Sequence, residues 1–249
     1  MSDKKIAVIG AAGRMGREVL RTIAATPNCC VGAAIENEGV SLETLNGLVG
    51  DGLLTDNLVR GLEQCDVAID FSAPAGFDSI LDALQSEPTP IVSGTTGLSD
   101  TQMARFRLIA ETVPVLHSPN MSVGVQVLLE LIDVAVKALG PTYDIEIVES
   151  HHRNKKDAPS GTAKRLHEAV REAQRKLLSR EPNEIPVHAI RGGDVVGDHS
   201  VYLMGDGDRI EITHRATARR TFAVGAVRAA NWLIRQPRGV YTMKDFLGA

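Results

Sequence analysis

Two adjacent histidines and a group of cations lie close together past the middle of the chain, at His151, His152, Arg153, Lys155 and Lys156. The whole chain has 27 Lys and Arg against 31 Asp and Glu, a formal net charge of −4. A local concentration of positive charge in such a chain attracts small anions. Histidine also exchanges a proton near neutral pH. We therefore expect this segment to bind a small acidic substrate and to transfer a proton to it.

The residues that follow the histidines refine this expectation. Ser160, Gly161 and Thr162 precede a predicted charged helix, so their hydroxyl and backbone N–H groups can hold a carboxylate at its N-terminus. Neighbouring side chains in an extended chain point to opposite faces, so we expect at most one histidine to act directly on the reacting centre. Lys155 can orient or charge-assist the same proton transfer. We expect no metal, because the histidine pair lacks a spaced third ligand and the neighbouring cations repel a metal ion.

A glycine-rich turn forms a second group of functional residues near the start of the chain. Glycines at Gly10, Gly13 and Gly16 follow the first predicted strand and open the first predicted helix. Such a turn lets the backbone approach a pyrophosphate, and the helix N-terminus supplies N–H groups and a positive dipole end. Ile35 ends the second predicted strand, and Glu36 follows it, 20 residues after Gly16, where a carboxylate accepts hydrogen bonds from ribose hydroxyls. The pattern predicts a dinucleotide site.

The residues after the ribose acid bear on the choice of cofactor. Asn37 and Glu38 carry no positive charge that would pair with a 2′-phosphate, so we expect NADH to be favoured over NADPH. Two further loops, Ser93–Gly97 and Ser118–Met121, follow strands of the same predicted sheet. Because ligands in such sheets bind beyond the carboxyl ends of the strands, both loops are placed to reach the nicotinamide side of the cofactor.

The elements that position these residues fall into two patterns. Residues 5 to about 120 alternate short apolar runs, such as Ile6–Ile9 and Val67–Phe71, with segments of helical period. This alternation predicts βαβ units around a buried parallel sheet. After Asn120 the strands and helices are segregated, which is typical of an α+β fold. The last helical pattern is Ala223–Leu233.

Composition excludes several classes of protein. The chain is 43% apolar and 4% aromatic and nearly balanced in charge, which argues against collagen, disorder and binding of nucleic acid. Its three cysteines form neither a disulfide framework nor a zinc pattern, so we expect a reducing cytoplasm. The longest uncharged stretch, Thr112–Leu129, contains prolines and polar residues that do not fit a membrane span.

Taken together, these motifs resemble the bacterial 4-hydroxy-tetrahydrodipicolinate reductase (dihydrodipicolinate reductase) family of the diaminopimelate and lysine pathway. The resemblance covers most of the chain and follows the family order. Its most specific block is ESHHRNKKDAPSGTA, residues 149–163, whereas many dehydrogenases share the glycine turn. The other matching blocks are VIGAAGRMGRE, IDFSAP, SGTTGLS, SPNMSVGV, RGGDVVGDHSV and EITHRATARRTFAVGAVRAANWL.

The resemblance implies roles for individual residues. His151 would donate the proton, Lys155 would be its catalytic partner, and His152 with Gly161 and Thr162 would bind the dicarboxylate substrate. The implied cofactor residues are those of the turn, the ribose acid and the two loops: Gly10, Ala11, Ala12, Gly13, Arg14, Met15, Glu36, Gly94, Thr95, Thr96, Ser118, Pro119, Asn120 and Met121.

The resemblance also implies a domain organisation. Residues 1–121 and 223–249 would form a Rossmann-like dinucleotide-binding domain of α/β class, and residues 122–222 an inserted α+β domain for substrate binding and tetramer formation. The implied reaction is NAD(P)H-dependent reduction of 4-hydroxy-tetrahydrodipicolinate by a homotetramer. In this chain Asn37 stands where some family members carry an arginine, which again favours NADH.

Two alternative functions remain open from the sequence. One is another NAD(P)H-dependent dehydrogenase of a small acid, which for acyl chemistry would carry a catalytic cysteine near a histidine. The other is a non-catalytic NAD(H)-sensing protein, which would carry a DNA-binding helix pair or a basic surface. Neither feature is evident, and both alternatives leave the cluster at residues 151–162 without a role.

Overall fold

The computed structural model describes residues 3–178 and 184–248 and divides the chain into two compact units. The first unit runs to Ser122 and resumes at Arg220, and the second is Val123–Arg219. The strands are β1 (Lys4–Ile9), β2 (Cys29–Ile35), β3 (Leu53–Thr55), β4 (Val67–Asp70), β5 (Ile91–Ser93), β6 (Pro114–His117), β7 (Asp144–His151), β8 (Val187–Arg191), β9 (Gly197–Met204), β10 (Arg209–Ala216) and β11 (Gly239–Tyr241). The helices are α1 (Arg14–Ala24), α2 (Asn46–Val49), α3 (Leu58–Leu62), α4 (Phe77–Ser86), α5 (Asp100–Ile109), α6 (Val123–Leu139), α7 (Gly161–Leu178), α8 (Arg220–Leu233) and α9 (Met243–Leu247).

The first unit is built on a seven-stranded sheet in the order β11-β6-β5-β4-β1-β2-β3, and every pair in it is parallel. The central strands are buried over Ile6–Ile9 in β1 and over all of β4, and these residues are apolar except for Asp70, as expected for a sheet covered on both faces. The predicted Rossmann-like α/β architecture is confirmed. Because these strands are parallel, the carboxyl ends of β1, β4, β5 and β6 lie on the same side of the sheet, and the predicted cofactor loops begin there.

The end of the chain returns to complete this sheet. Helix α8 contacts α1 and the strands β4, β5 and β6, and its buried face consists mainly of alanine, glycine and valine. Strand β11 then pairs in parallel with β6 through Val240 and Val115 at the edge of the sheet. The first unit is therefore assembled from two segments that are distant in sequence.

The second unit has a four-stranded mixed sheet in the order β10-β9-β7-β8. Strand β7 is antiparallel to β9 and parallel to β8. Helices α6 and α7 contact each other and this sheet, so alternate residues of β7 and β9 are buried. Along β7 the buried set is Ile145, Ile147, Glu149 and His151, which lie on one face. This confirms the predicted separate α+β domain.

Several elements are present that the sequence pattern did not predict. Strands β3 and β11 have three residues each, too few to show a period. Strand β8 is an edge strand with mostly exposed residues, so it lacks the apolar alternation of a buried strand. No helix within the described ranges combines the length and the apolar character needed to cross a bilayer.

Candidate active site

The glycine turn that joins β1 to α1 is tightly packed against neighbouring backbone atoms. Gly10 has a φ of 75°, and a Cβ there would lie 2.9 Å from the carbonyl oxygen of Phe71. A Cβ at Gly16 would lie 2.2 Å from the carbonyl oxygen of Gly10 and 2.6 Å from the Cα of Ala11. Both positions therefore require glycine. No side chain in the described part of the chain caps α1 at Gly13, so the N-terminus of this helix presents backbone N–H groups to a ligand.

Glu36 lies against this turn. Its Oε2 accepts a hydrogen bond of 2.8 Å from the backbone N–H of Ala12. The carboxylate thus sits beside the uncapped helix, where a ribose adjoining a helix-bound pyrophosphate would meet it. Arg17 braces the same turn by donating from Nε to the Ala12 carbonyl oxygen, at 3.0 Å, and from Nη2 to Thr44 Oγ1, at 2.8 Å. The tight turn, the uncapped N-terminus and the adjacent acid fit a dinucleotide.

Replacing Gly16 by alanine is expected to weaken cofactor binding. The added Cβ meets backbone atoms that cannot move without shifting the turn, and we expect a loss of about 2 kcal/mol in stability and a rise of at least about tenfold in the NADH dissociation constant. Fluorescence titration with NADH and urea unfolding measure the two effects. Gly47→Ala in α2 is the matched control, because a Cβ there would have no heavy atom of another described residue packed within 4 Å of it. Unchanged NADH affinity in the Gly16 variant would contradict the assignment of the turn.

The two predicted nicotinamide loops lie on neighbouring strands. Ser118 donates its N–H to the carbonyl oxygen of Ser93 at 3.1 Å, and its Oγ donates to the carbonyl oxygen of Asn120 at 2.7 Å. His117 Nε2 contacts the carbonyl oxygen of Thr95 at 2.9 Å. The loops after β5 and β6 are thus joined at the same edge of the sheet as the glycine turn.

In the second unit, the buried Glu149 is the centre of a hydrogen-bond network. Its Oε2 accepts from His151 Nδ1 at 2.5 Å, and Arg191 donates to both carboxylate oxygens at 2.8 and 2.7 Å. The backbone N–H of Ser160 donates to Oε1 at 3.1 Å. Burial alone raises the pKa of Glu149, but the hydrogen bonds from Arg191, His151 and Ser160 outweigh burial and leave the pKa below its ordinary value. Glu149 is therefore ionised at neutral pH.

His151 is fixed by this carboxylate. Because Nδ1 donates to Glu149, Nε2 is the nitrogen that remains for a proton transfer, and no residue in the described ranges bonds to it. Burial lowers the pKa of His151, while the hydrogen bond and charge of Glu149 raise it, and the charges of Lys155 and Arg191 lower it again. The pKa of His151 consequently lies below its ordinary value. A Cβ at Gly197 would lie 3.0 Å from Nε2, so the glycine keeps this nitrogen clear.

A second buried histidine connects His151 to the start of α7. The rings of His199 and His151 pack edge to face with centroids 5.1 Å apart. His199 Nε2 lies 3.1 Å from Ser160 Oγ, which accepts the N–H of Ala163 and so caps α7. Burial, with the charge of His151, lowers the pKa of His199 to about 4, so this ring is neutral near pH 7.

The remaining predicted residues of this unit lie nearby on the surface. His152 is half-buried, in contrast to the buried His151, as expected for adjacent residues leaving a strand. Lys155 Nζ pairs with Asp157 Oδ1 at 2.9 Å and has no hydrogen bond to His151. Its effect on His151 is through charge. Gly161 and Thr162 form the first turn of α7, directly after the buried Ser160.

Sequence reasoning missed three residues of this network. Glu149 stands two positions before His151, and a period of two on a strand places both on one face, so its role was readable from the sequence. Arg191 and His199 gave no such signal, because they come from β8 and β9. The sheet register places Arg191 opposite His151 and His199 opposite Glu149.

The cysteines do not form a nucleophilic site of the kind that acyl chemistry requires. Burial raises the pKa of Cys65 to about 12 and also raises the pKa of Cys30. Cys29 is buried and exchanges hydrogen bonds with Asn231 at 3.2 and 3.4 Å. Since the thiolate is the reactive form, these thiols are unsuited to nucleophilic attack.

A parallel sheet with a glycine turn after its first strand, together with a separate α+β unit that holds a buried histidine–carboxylate pair, defines a two-domain, nucleotide-dependent oxidoreductase. Comparison with known proteins identifies the family. Residues 4–121 match "Dihydrodipicolinate reductase, N-terminus", and residues 124–247 match "Dihydrodipicolinate reductase, C-terminus". The chain belongs to the dihydrodipicolinate reductase family, whose members are NAD(P)H-dependent oxidoreductases of lysine biosynthesis.

Individual relatives agree with this placement over their full lengths. The 4-hydroxy-tetrahydrodipicolinate reductase of Halorhodospira halophila is 42% identical over 262 residues, with 98% of each chain covered. That of Anaeromyxobacter dehalogenans strain 2CP-1 is 44% identical over 263 residues, which cover 98% of this chain and 97% of the relative. The structure of dipicolinate-bound dihydrodipicolinate reductase from Paenisporosarcina sp. TG-14 superposes with a TM-score of 0.80 at 23% identity, covering 96% of this chain and 97% of that one. These matches confirm the resemblance drawn from the sequence blocks.

Proposed function

We propose that this chain reduces 4-hydroxy-tetrahydrodipicolinate to tetrahydrodipicolinate with NAD(P)H and a proton, the 4-hydroxyl leaving as water, in diaminopimelate and lysine biosynthesis. The observation that carries the proposal is the Glu149 carboxylate, which hydrogen-bonds both His151 and the backbone of Ser160. It joins the proposed proton donor to the helix N-terminus proposed to bind the substrate. The family match over both units supports the same reaction.

The first unit is proposed to hold the cofactor, whose reduced nicotinamide supplies the hydride. The backbone of Gly10, Ala11, Ala12, Gly13, Arg14 and Met15 binds the phosphates at the uncapped end of α1. Glu36 binds the adenosine ribose. The nicotinamide side is bound by the loops after β5 and β6, with Gly94, Thr95, Thr96, Ser118, Pro119, Asn120 and Met121 as the contacting residues.

The second unit is proposed to bind the dicarboxylate. One substrate carboxylate is bound at the positive dipole end of α7, where Ser160, Gly161 and Thr162 offer it N–H and hydroxyl groups. His152 and the surrounding cations supply further positive charge. Because Ser160 is itself held by Glu149, the carboxylate-binding turn and His151 keep a fixed geometry.

His151 is proposed to donate the proton that the reduction consumes. Glu149 orients the ring and stabilises its protonated form, so that Nε2 carries the transferable proton. The low pKa of His151 in the free chain works against protonation. A bound dianionic substrate raises that pKa by charge attraction, so the donor becomes protonated when the substrate is present. Lys155 acts as the partner of His151 in this step, because its positive charge attracts the same substrate.

Replacing Thr162 by valine is expected to raise the KM for the substrate about tenfold and to change kcat little, because one hydrogen bond to a bound carboxylate is lost. Steady-state rates at varied substrate measure the change. Thr213→Val is the matched control in the same unit, because Thr213 is exposed and Ser200, at 2.9 Å, is the only partner of its hydroxyl among the described residues. An unaltered KM in the Thr162 variant would argue against the carboxylate-binding turn.

NADH is proposed as the preferred cofactor. The Glu36 carboxylate repels a 2′-phosphate, and Asn37 offers no compensating positive charge. Arg17, which braces the turn, already donates to Ala12 and Thr44. The ratio of kcat/KM for NADH to that for NADPH tests the preference, and Asn37→Arg is expected to lower this ratio.

A cytoplasmic homotetramer is proposed as the working form, assembled through the sheet of the second unit. The face of this sheet opposite α6 and α7 carries half-buried apolar side chains such as Val148, Tyr202 and Met204. Ile190 on β8 is 53% exposed on the same face. Light scattering coupled to size exclusion distinguishes four copies of the 26.7 kDa chain from one or two.

The decisive test is the initial rate of NADH and NADPH oxidation while dihydrodipicolinate synthase and its substrates generate the unstable acceptor in the cuvette. We expect oxidation that depends on the synthase. Folded protein that binds NADH but oxidises neither cofactor would overturn the proposal and favour an NAD(H) sensor. Oxidation with a different small acid, but not with this acceptor, would favour another dehydrogenase.

A further inference from the structure

A buried acid in the first unit has no part in the functions proposed above. Asp70 ends β4 and is 0% exposed. Its Oδ2 accepts hydrogen bonds from Ser93 Oγ at 2.7 Å and Thr95 Oγ1 at 2.8 Å. Its Oδ1 accepts from the backbone N–H of Ser72 at 2.8 Å. Three donors converge on the group, and this is the hydrogen-bond environment of a carboxylate.

The charge of this carboxylate is not balanced by a cation. In the described ranges, 3–178 and 184–248, no lysine, arginine or histidine forms an ion pair with Asp70, and all its hydrogen-bond partners are neutral. Burying a charged carboxylate without a counter-charge costs several kcal/mol, and the three donors aimed at Asp70 offset part of this cost.

The partners of Asp70 belong to the loops of the cofactor side. Strand pairing sets Asp70 beside Ser93, and Ser93 Oγ also accepts the N–H of Thr95 at 3.3 Å. The ring of Phe71, the next residue, packs against Gly94 so closely that a Cβ there would lie 2.3 Å from it. Asp70 thus holds residues 93–95 in place through hydrogen bonds to the side chains of Ser93 and Thr95, and the ring of Phe71 packs against the same segment at Gly94.

We propose that Asp70 is a positioning residue that fixes the nicotinamide-binding loop and, as an unpaired buried charge, favours the oxidised, positively charged nicotinamide over the reduced ring. This inference rests on the proposed function, which places Gly94, Thr95 and Thr96 against the nicotinamide. When hydride leaves with its electron pair, the dihydropyridine is oxidised to a pyridinium ring and the substrate is reduced. A fixed anion at the site stabilises the charge that develops on the ring.

The test separates the charge of Asp70 from its hydrogen bonds. Asp70→Asn removes the charge in a side chain of equal size, whereas Ser93→Ala removes one hydrogen bond and leaves the charge. Dissociation constants for NADH and for NAD⁺ are measured with each protein by calorimetry in the absence of substrate. We expect the ratio of the NAD⁺ constant to the NADH constant to rise about fivefold in Asp70→Asn. In Ser93→Ala both constants rise together and the ratio stays at the wild-type value.

Each result of these measurements supports or contradicts the electrostatic role of Asp70. An unchanged ratio in Asp70→Asn, whether both constants rise or neither does, would overturn the electrostatic role. A ratio shifted equally by Ser93→Ala would overturn it as well, because loop displacement alone would then suffice. Asp70→Ser removes the charge in a smaller side chain and gives the same readout if the asparagine variant does not fold. Wild-type protein that binds neither NADH nor NAD⁺ would instead refute the proposed function.

Discussion

Replacing His151 by glutamine is expected to lower kcat by about 10²-fold while leaving NADH affinity unchanged. Glutamine can keep a hydrogen bond to Glu149, but it has no proton to donate at Nε2. The proposed cofactor residues belong to the other unit, so NADH binding by the variant should be unaffected and shows that the protein is folded. Single-turnover oxidation of bound NADH, followed by absorbance, isolates the chemical step.

The pH dependence gives the same prediction a second readout. In the proposed mechanism the protonated ring is the donor, so we expect activity to fall as pH rises through the pKa of His151. That pKa is below its ordinary value in the free chain, and we expect the charge of bound substrate to raise it. The decline of kcat/KM, which reports the free enzyme, should therefore begin at lower pH than the decline of kcat. The glutamine variant should lose this limb.

His188→Gln is the matched control for His151→Gln. His188 lies on the same sheet, its side chain is 54% exposed, and it pairs with Glu146 at 2.8 Å. Its loss should leave kcat and both pH profiles at wild-type values. Turnover that is equal in the His151 variant and in wild type would remove His151 from the mechanism.

Replacing Arg191 by methionine is expected to destabilise the second unit by about 4 kcal/mol at neutral pH. Methionine leaves the fully buried Glu149 with a charge that His151 and one backbone N–H offset only in part. Urea unfolding followed by far-ultraviolet circular dichroism measures the loss. Arg209→Met is the control, because the Arg209–Glu211 pair is exposed, and its removal should cost at most about 1 kcal/mol.

A double replacement and a pH series make the cause of this loss specific. Glu149→Gln together with Arg191→Met should recover part of the stability lost in Arg191→Met, because no buried charge remains unpaired. The pKa of Glu149 is lowered in the folded chain, so its contribution is present above the ordinary carboxyl pKa and is lost as pH falls through the folded value. The gap between wild type and Arg191→Met should therefore narrow in acid. A gap that does not depend on pH would show that lost packing, and not charge, is responsible.

The sequence predicted those parts of the fold that are periodic and local. The glycine turn, the ribose acid and the histidine block each lie within a short segment whose spacing has a direct physical meaning. The alternation up to Asn120 predicted the parallel sheet, and the segregated pattern after it predicted the α+β unit. These two predictions were confirmed because buried strands and amphipathic helices each show a hydrophobic pattern that can be read within the segment itself.

The parts that were missed depend on pairing between distant segments. Arg191 and His199 reach Glu149 only through the register of β7 with β8 and β9. Asp70 reaches Ser93 through the pairing of β4 with β5. Choice of partner strand is a property of the whole sheet, and no local pattern encodes it. Glu149 is the exception, because it shares a strand face with His151.

The return of α8 and β11 to the first sheet has a consequence for the order in which a ribosome-bound chain acquires structure. The α+β unit is continuous in sequence, so all its residues have been synthesised when Arg219 is added. The dinucleotide unit still lacks the helix that covers α1, β4 and β5 and the strand that extends its sheet beyond β6. Domains fold as units once their residues are available. The α+β unit is therefore complete before the dinucleotide unit, whose first segment keeps part of its apolar surface uncovered until α8 and β11 have left the ribosome.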